Sequence, residues 1–503
     1  METELKLKIA ASDVARMREH PLLAKLPEAD RREHELTDTY YDTPALDLWR
    51  AGLTLRLRRD GDAWIQTIKT ASAGSPTLHE RGEWESRLDG PQPNPDDLAR
   101  QIKPQRLRDV LRAPAITGQL QPVFTSTTHR MTWKIKLSGL PGGQLVECAL
   151  NKGSIDANGR SVDVGELELE LKRGNPTRLF ELALALHQDI PLEVAVENKA
   201  ARGYALLQDE APKPVKAAKV RLTRKMRMED ALQEIGLNCM AQIEANVPGV
   251  LVQSVESLHQ MRVGLRRLRA LLDMVGDIAP LPAELKEGLD WLSGELGATR
   301  DWDVLAETTL PAIHGIHTEA LQAAAKERAR TLHKAMLPTL HSPRYTQLML
   351  QMNGWLRGRQ WRPASGLAKI DPLAQPALDG LVPLVRKASA RLRKRIAALD
   401  EQDAPARHRV RIAAKKARYA AEFFGDLLPA REVKAYVKSL SALQDRLGHL
   451  NDLAVASKLL PVLENSGHAH DASFARGYVS GASDASSCGL RKALDKIARL
   501  KLI

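Results

Sequence analysis

Apolar and polar residues alternate along short runs in the first two hundred positions: LTLRLRR (53–59), WIQTIKT (64–70), GEWESRL (82–88) and GELELELK (165–172). Period two sends successive side chains to opposite faces, so each run predicts a strand with one apolar and one charged face. Helical interludes fit 12–20, 44–51, 95–112 and 176–187. From about residue 222 the spacing becomes helical and rich in Ala, Leu, Arg and Lys, with breaks at Pro and Gly. Between these regimes DEAPKPVKAAKV (209–220), with Pro212 and Pro214, reads as an exposed linker. The pattern predicts a mainly β first domain (1–208), a linker (209–221) and an all-α domain (222–503).

The α region repeats itself. HQMRVGLRRLRALL (259–272) aligns with HRVRIAAKKARYAA (408–421) at an offset of 149, and LGATRDWDVL (296–305) with LGHLNDLAVA (447–456) at an offset of 151. Two motifs in one order at nearly one offset predict a duplicated helical bundle, with halves of about 222–370 and 371–503.

Charge sharpens the division. The 503 residues hold 74 Lys and Arg against 62 Asp and Glu. Residues 1–208 are nearly balanced, 29 basic against 30 acidic, leaving 45 against 32 beyond. An anionic partner therefore belongs to the helical region. Cys148, Cys239 and Cys488 are too few and too scattered for a disulfide framework or a CxxC metal pair, which fits a reducing cytosol. No run approaches the ~18 apolar residues of a membrane span, and METELKLKIA does not read as a signal peptide. A soluble, cytoplasmic protein that engages no membrane is expected.

In the first domain Glu2, Glu4 and Lys6 share one strand face, as do Glu166, Glu168, Glu170 and Lys172. Adjacent carboxylates repel unless a cation sits between them, and a hard divalent ion answers that need. Taken alone, such a row is also what a solvated outer face looks like. Basic rows add weight: Arg56 with Arg58, Lys69, Arg81 with Glu83 and Glu85, Arg130 with Lys134, and Lys199 with Arg202. Strands closing into a barrel would turn these faces inward, where acids hold ions and guanidinium forks clamp phosphate oxygens. No Gly-rich phosphate loop is present.

The E-x-E-x-K start, the LRLR, TIK, RGEWE and ELELELK segments and the KARGY end together resemble the CYTH domain of triphosphate tunnel metalloenzymes, over essentially 1–208. The resemblance implies an α+β domain built on a closed, eight-stranded antiparallel tunnel that binds a linear triphosphate with Mg²⁺ or Mn²⁺. It implies Glu2, Glu4, Glu166, Glu168 and Glu170 as metal ligands. Glu2, Glu4, Lys6, Arg56, Arg58 and Lys69 carry the catalytic expectation, and Arg81, Glu83, Glu85, Arg130, Lys134, Lys199 and Arg202 the substrate contacts. One departure stands out: Asn151, in ALNKG, occupies a position where the family commonly has an acid, with Asp156 nearby. A weakened metal site is the expected consequence. Inorganic triphosphate hydrolysis to pyrophosphate and phosphate is favoured, with thiamine triphosphatase, class IV adenylate cyclase chemistry or an inactive adaptor as alternatives.

On a helix His259, Arg262, Arg266 and Arg269 form a basic stripe flanked by Arg267. The second copy offers His408, Arg411, Lys415 and Arg418, flanked by Lys416. Each stripe suits an anion or a solvated basic face, with Asp301, Asp303, Asp445 and Asp452 as available local partners. The region resembles the CHAD family over about 222–503. That likeness implies two four-helix halves with a groove that binds inorganic polyphosphate through these ten residues, and association with polyphosphate granules. Zinc has no Cys partner or HExxH pattern, and at 4% aromatics a nucleic-acid stacking platform has little support.

Overall fold

The computed structural model describes residues 2–61, 63–71, 75–137, 143–208, 210–315, 318–362, 371–400, 403–487, 490–500 and 502. Cys488, His317 and the expected repeat boundary near 370 lie outside them. The alternating runs become β1 (Glu2–Ile9), β2 (Arg31–Asp42), β3 (Leu53–Asp60), β4 (Ala63–Thr70), β5 (Leu78–Arg81), β6 (Glu83–Leu88), β7 (Gln121–Leu137), β8 (Gln144–Ala157), β9 (Arg160–Arg173) and β10 (Leu192–Val194). All pairings are antiparallel, in the order β10-β1-β9-β8-β7-β2-β3-β4-β6.

The ladder closes at Gly82. That residue joins β5 to β6 while β6 pairs with β4 (Lys69 opposite Glu83) and β5 pairs with β1 (Glu2 opposite Arg81). With β5 and β6 taken as one bent strand, eight strands ring a tunnel, and β10 adds to the far end of β1. A closed ring leaves few unpaired strand edges.

The tunnel has its apolar side outside. Leu5, Leu7, Leu167 and Leu169 are fully buried against Leu179, Phe180, Ala183 and Leu186 of helix α1 (Thr177–Asp189). On the opposite wall Leu53, Leu55 and Ile68 pack under Leu98, Ile102 and Leu111. Burying each Leu stabilises by roughly 1.5–3 kcal/mol, so these outward faces fix the register and force the charged residues between them inward. Helix α2 (Lys199–Leu207) lies on β7 and β8, and a Cβ at Gly203 would meet the Phe124 ring at 2.2 Å, so only glycine permits this approach.

Beyond the extended segment 210–223, the helices are α3 (Met228–Ala245), α4 (Val255–Val275), α5 (Ala283–Val304), α6 (Glu319–Leu340), α7 (Pro343–Arg357), α8 (Ala377–Ala397), α9 (Ala404–Phe423), α10 (Ala430–Leu463), α11 (Ala469–Ser487) and α12 (Leu490–Ala498). Helices α3, α4, α5 and α6 form one four-helix set and α8, α9, α10 and α11 the other. The duplication extends to detail: a π-helical turn follows α5 at Leu305–Thr309 and α10 at Glu464–His468.

One segment departs from the division read from sequence. The chain forms two compact units, Met1–Pro212 with His341–Gly358, and Lys213–Leu340 with Arg359–Ile503. Helix α7 packs on α1 with Leu350 in the tunnel's outer core, and His187 Nε2 lies 2.9 Å from the Pro343 carbonyl. Among the described residues no helix is long and apolar enough to cross a membrane.

Candidate active site

The tunnel encloses a cavity of about 370 Å³. Eight cations line it (Lys6, Arg56, Arg58, Lys69, Arg81, Arg130, Lys172 and Lys199) with seven glutamates (Glu2, Glu4, Glu83, Glu85, Glu147, Glu168 and Glu170). Buried charges persist only when paired, and these are. Glu168 accepts from Lys6 Nζ and Lys199 Nζ at 2.7 Å each, and from Arg130 at 2.7 Å. Lys69 lies 3.0 Å from Glu2 and 2.8 Å from Glu83, while Arg81 Nε donates to Glu2 at 2.7 Å and its Nη2 to Glu4. Arg56 donates to Thr67 at 3.0 Å and reaches Glu85 at 3.4 Å.

Electrostatics follows these pairs. Burial alone would raise the Glu2 carboxyl, but Lys69 and Arg81 outweigh it and hold it at about 2. Burial likewise opposes ionisation of Glu168, yet Lys199, Lys6 and Arg130 keep it well below the carboxylate range. Glu170 goes the other way: burial raises it, and Glu2 and Glu147 add to the rise against the single opposing cation Lys172.

In the second unit the stripes face each other. Lys415 on α9 is depressed to about 7 by burial and by Arg266 of α4, then by Arg411 and Arg418 of its own helix. Burial, Arg266 and Arg300 hold Arg262 below the ordinary arginine value. The Nε atoms of Arg262, Arg266, Arg411 and Arg418 are buried without a hydrogen-bond partner among the described residues. Unpaired buried donors are costly, and four from two repeat-related helices make this groove the candidate site of the second unit. His408 is exposed at the edge of a cavity of about 560 Å³, walled by Leu447, Leu450, Ala454 and Val455.

Comparison with known proteins gives these features a family. Residues 1–204 match the CYTH domain model and residues 234–461 the CHAD domain model. A solved CHAD domain from the plant Ricinus communis is 35% identical, with a TM-score of 0.54, covering 58% of this chain and 98% of that one. The chain unites a CYTH domain with a CHAD domain. Its CYTH part is similar to an inorganic triphosphatase of Haemophilus influenzae, 28% identical over 206 residues. That match covers 41% of this chain and 55% of the relative, so it spans about half of that protein. A solved Hippeastrum protein, described as a putative adenylyl cyclase with dominant triphosphatase activity, is 20% identical over 41% of this chain and 96% of its own, with a TM-score of 0.30.

Within the CYTH tunnel the structure brings together Glu2, Glu4, Lys6, Arg56, Arg58, Lys69, Arg81, Glu83, Glu85, Arg130, Glu168, Glu170 and Lys199. Three expected residues stand apart. Lys134 is exposed and outside the lining, although Glu147, opposite it on β8, lines the cavity. Glu166 is fully buried behind the lining, held by Arg202 at 2.7 Å and Lys199 at 3.3 Å, and Arg202 is spent on that contact. Asn151 is buried opposite Glu166 and accepts from Arg130 at 3.3 Å, while Asp156 is exposed and bonded to Ser154. Asp156 therefore leaves the missing charge uncompensated.

Sequence reasoning missed Asp38, Tyr40 and Glu147. Asp38 is 2% exposed and takes two bonds from Arg58, at 2.6 and 2.9 Å, with Arg56 at 3.7 Å. The phase of TDTYYD and LVECAL carries the signal, but it points inward only once the neighbouring register is known.

Among the ten residues expected in the CHAD helices, Arg267, Arg269 and Lys416 have partners within the protein. Arg267 is buried, donates to Gln242 at 2.9 Å and Asn238 at 3.0 Å, and stacks on Phe423. Arg269 pairs with Asp290 and Lys416 with Asp273. The two flanking residues and Arg269, the last member of the first stripe, are thus engaged within the protein, whereas Arg300 joins the groove unforeseen.

Proposed function

We propose that the CYTH tunnel hydrolyses inorganic triphosphate to pyrophosphate and phosphate with Mg²⁺ or Mn²⁺, and that the CHAD groove binds inorganic polyphosphate. The observation that carries the reading is the closed cavity in which acids and bases from separate strands meet. Lys6, Arg56, Arg58, Lys69, Arg81, Arg130 and Lys199 present donors suited to phosphate oxygens, and the low-dielectric wall strengthens each contact. Glu83 and Glu85 hold Lys69 and Arg56 in place.

The donor set fits a hard cation. Every acid in the lining is a carboxylate, and Glu170 faces Glu2 and Glu147 with less cationic cover than its neighbours. Among the described residues no group of three or more His, Cys, Asp or Glu is preassembled as a metal site. Binding then requires Glu2, Glu4, Glu168 and Glu170 to exchange some of their lysine and arginine partners for the ion. A divalent ion held there would supply neutralisation of phosphate oxygens and a polarised water. The charge balance argues the same way: a cavity with eight cations and seven carboxylates accepts a multiply charged anion best with added positive charge.

Asn151 favours a second reading, a catalytically weak polyphosphate-binding adaptor, because the uncharged amide removes a carboxylate beside Arg130. Incubating the full-length protein with tripolyphosphate, thiamine triphosphate or ATP, plus Mg²⁺ or Mn²⁺, separates the readings. Pyrophosphate and phosphate from tripolyphosphate, lost in Glu4→Ala, support the first. Polyphosphate binding with no turnover supports the adaptor, and cyclic AMP from ATP overturns both.

A further inference from the structure

The CHAD groove contains acids that its anion-binding role does not require. Asp301 on α5 and Asp452 on α10 occupy equivalent places in the two copies of the second motif, and those helices pack together. Each lies beside a stripe arginine. A Cβ built on Gly297, one turn before Asp301, would sit 3.4 Å from the Arg262 guanidinium, and Arg411 Nη1 donates at 3.2 Å to Asn451, next to Asp452. Asp301 faces Arg262 of α4, Arg411 of α9, Asp452 of α10 and its neighbour Arg300. Asp452 faces Arg411 and Lys415 of α9, Arg300 of α5 and its own helix's His449 and Asn451. On the adjoining helix α6, His333 is bonded to Asp303 at 3.1 Å.

We infer that polyanion binding in the CHAD groove is linked to proton uptake, with Asp301 and Asp452 acting as internal counter-ions that an incoming phosphate chain must displace or find protonated. The inference rests on the polyphosphate reading of the same groove and adds its regulation. An anion brought between Arg262 and Arg411 meets both carboxylates, so their ionised forms oppose it and their neutral forms do not. The titrations run in one direction. Burial raises Asp301 and Asp452, and Asp452 adds to the rise at Asp301. Burial lowers His259, with Arg300 adding to it, and Lys415 stands at about 7. Acidification therefore removes negative charge and adds positive charge, and both favour the anion.

Isothermal titration of the full-length protein with long-chain polyphosphate at pH 6 and pH 8, in two buffers of different ionisation enthalpy, tests this. A site requiring one proton on a group of pKa about 7 binds about tenfold more weakly at pH 8 than at pH 6, with heats that differ between buffers. Lys415→Arg, which keeps its charge throughout, should show a smaller difference in affinity between pH 6 and pH 8 than the wild type. Asp301→Asn combined with Asp452→Asn should bind severalfold more tightly at pH 8. Equal affinity and buffer-independent heats at both pH values, with binding present, would overturn the inference. Absence of binding at either pH would overturn the polyphosphate reading beneath it.

Discussion

The tunnel and the groove, the two candidate sites, gather similar numbers of cations and treat them oppositely. In the tunnel each cation is matched: Lys6, Lys199 and Arg130 converge on Glu168, Arg81 on Glu2 and Glu4, Arg58 on Asp38. In the groove the cations face one another, and Lys415 is pressed down by burial and then by three arginines. A matched lumen is part of the fold's stability and needs added positive charge to take a polyanion. A surplus groove stores repulsion that the ligand relieves. Neutralising one charge should therefore destabilise the first site and stabilise the second.

The largest effect expected is in the tunnel. Glu168→Gln leaves Lys6, Lys199 and Arg130 short of their common carboxylate and should cost roughly 3–5 kcal/mol in urea unfolding. Asp38→Asn should free Arg58 and Arg56, raising KM for tripolyphosphate about tenfold, in line with the loss of a charge-assisted pair. In the groove Lys415→Met should raise stability at pH 7 by about 1 kcal/mol while weakening polyphosphate binding. Destabilisation there would remove the contrast.

Acid sharpens the comparison further. Glu2 has a folded value below its unfolded one, so its contribution is complete above 4.5 and is lost as pH falls toward about 2. The tunnel should unfold on acid titration within that window, and Glu2→Gln should shift the midpoint upward in circular dichroism. Asn151→Asp is expected to have the smallest effect, a severalfold fall in the Mg²⁺ or Mn²⁺ concentration for half-maximal turnover.

Period-two phase made Glu2, Glu4, Arg56, Arg58 and Glu168 legible as one inward set, because the apolar residues between them had to face a covering layer. The duplication was equally legible from two offsets. Register was not. Lys134 shares a strand face with Arg130 and pairs with Glu147, yet stays outside the lining; Tyr40 and Glu147 join the lining, and Asp38 backs Arg58 and Arg56, only through their neighbours' pairing. Helical spacing named the stripes without what lies beside them, so the partners of Arg267, Arg269 and Lys416 on other helices could not be read from it. An amphipathic pattern likewise does not name what it packs against, which is why α7 gave no sign of joining the tunnel unit.

Release of pyrophosphate from tripolyphosphate in the presence of Mg²⁺ or Mn²⁺, compared between wild type, Glu168→Gln and the exposed control Lys134→Ala, tests most directly whether chemistry occurs among the paired charges of the tunnel. Loss of at least a hundredfold in Glu168→Gln with wild-type turnover in Lys134→Ala is the predicted result. Undiminished pyrophosphate release by folded Glu168→Gln would contradict it.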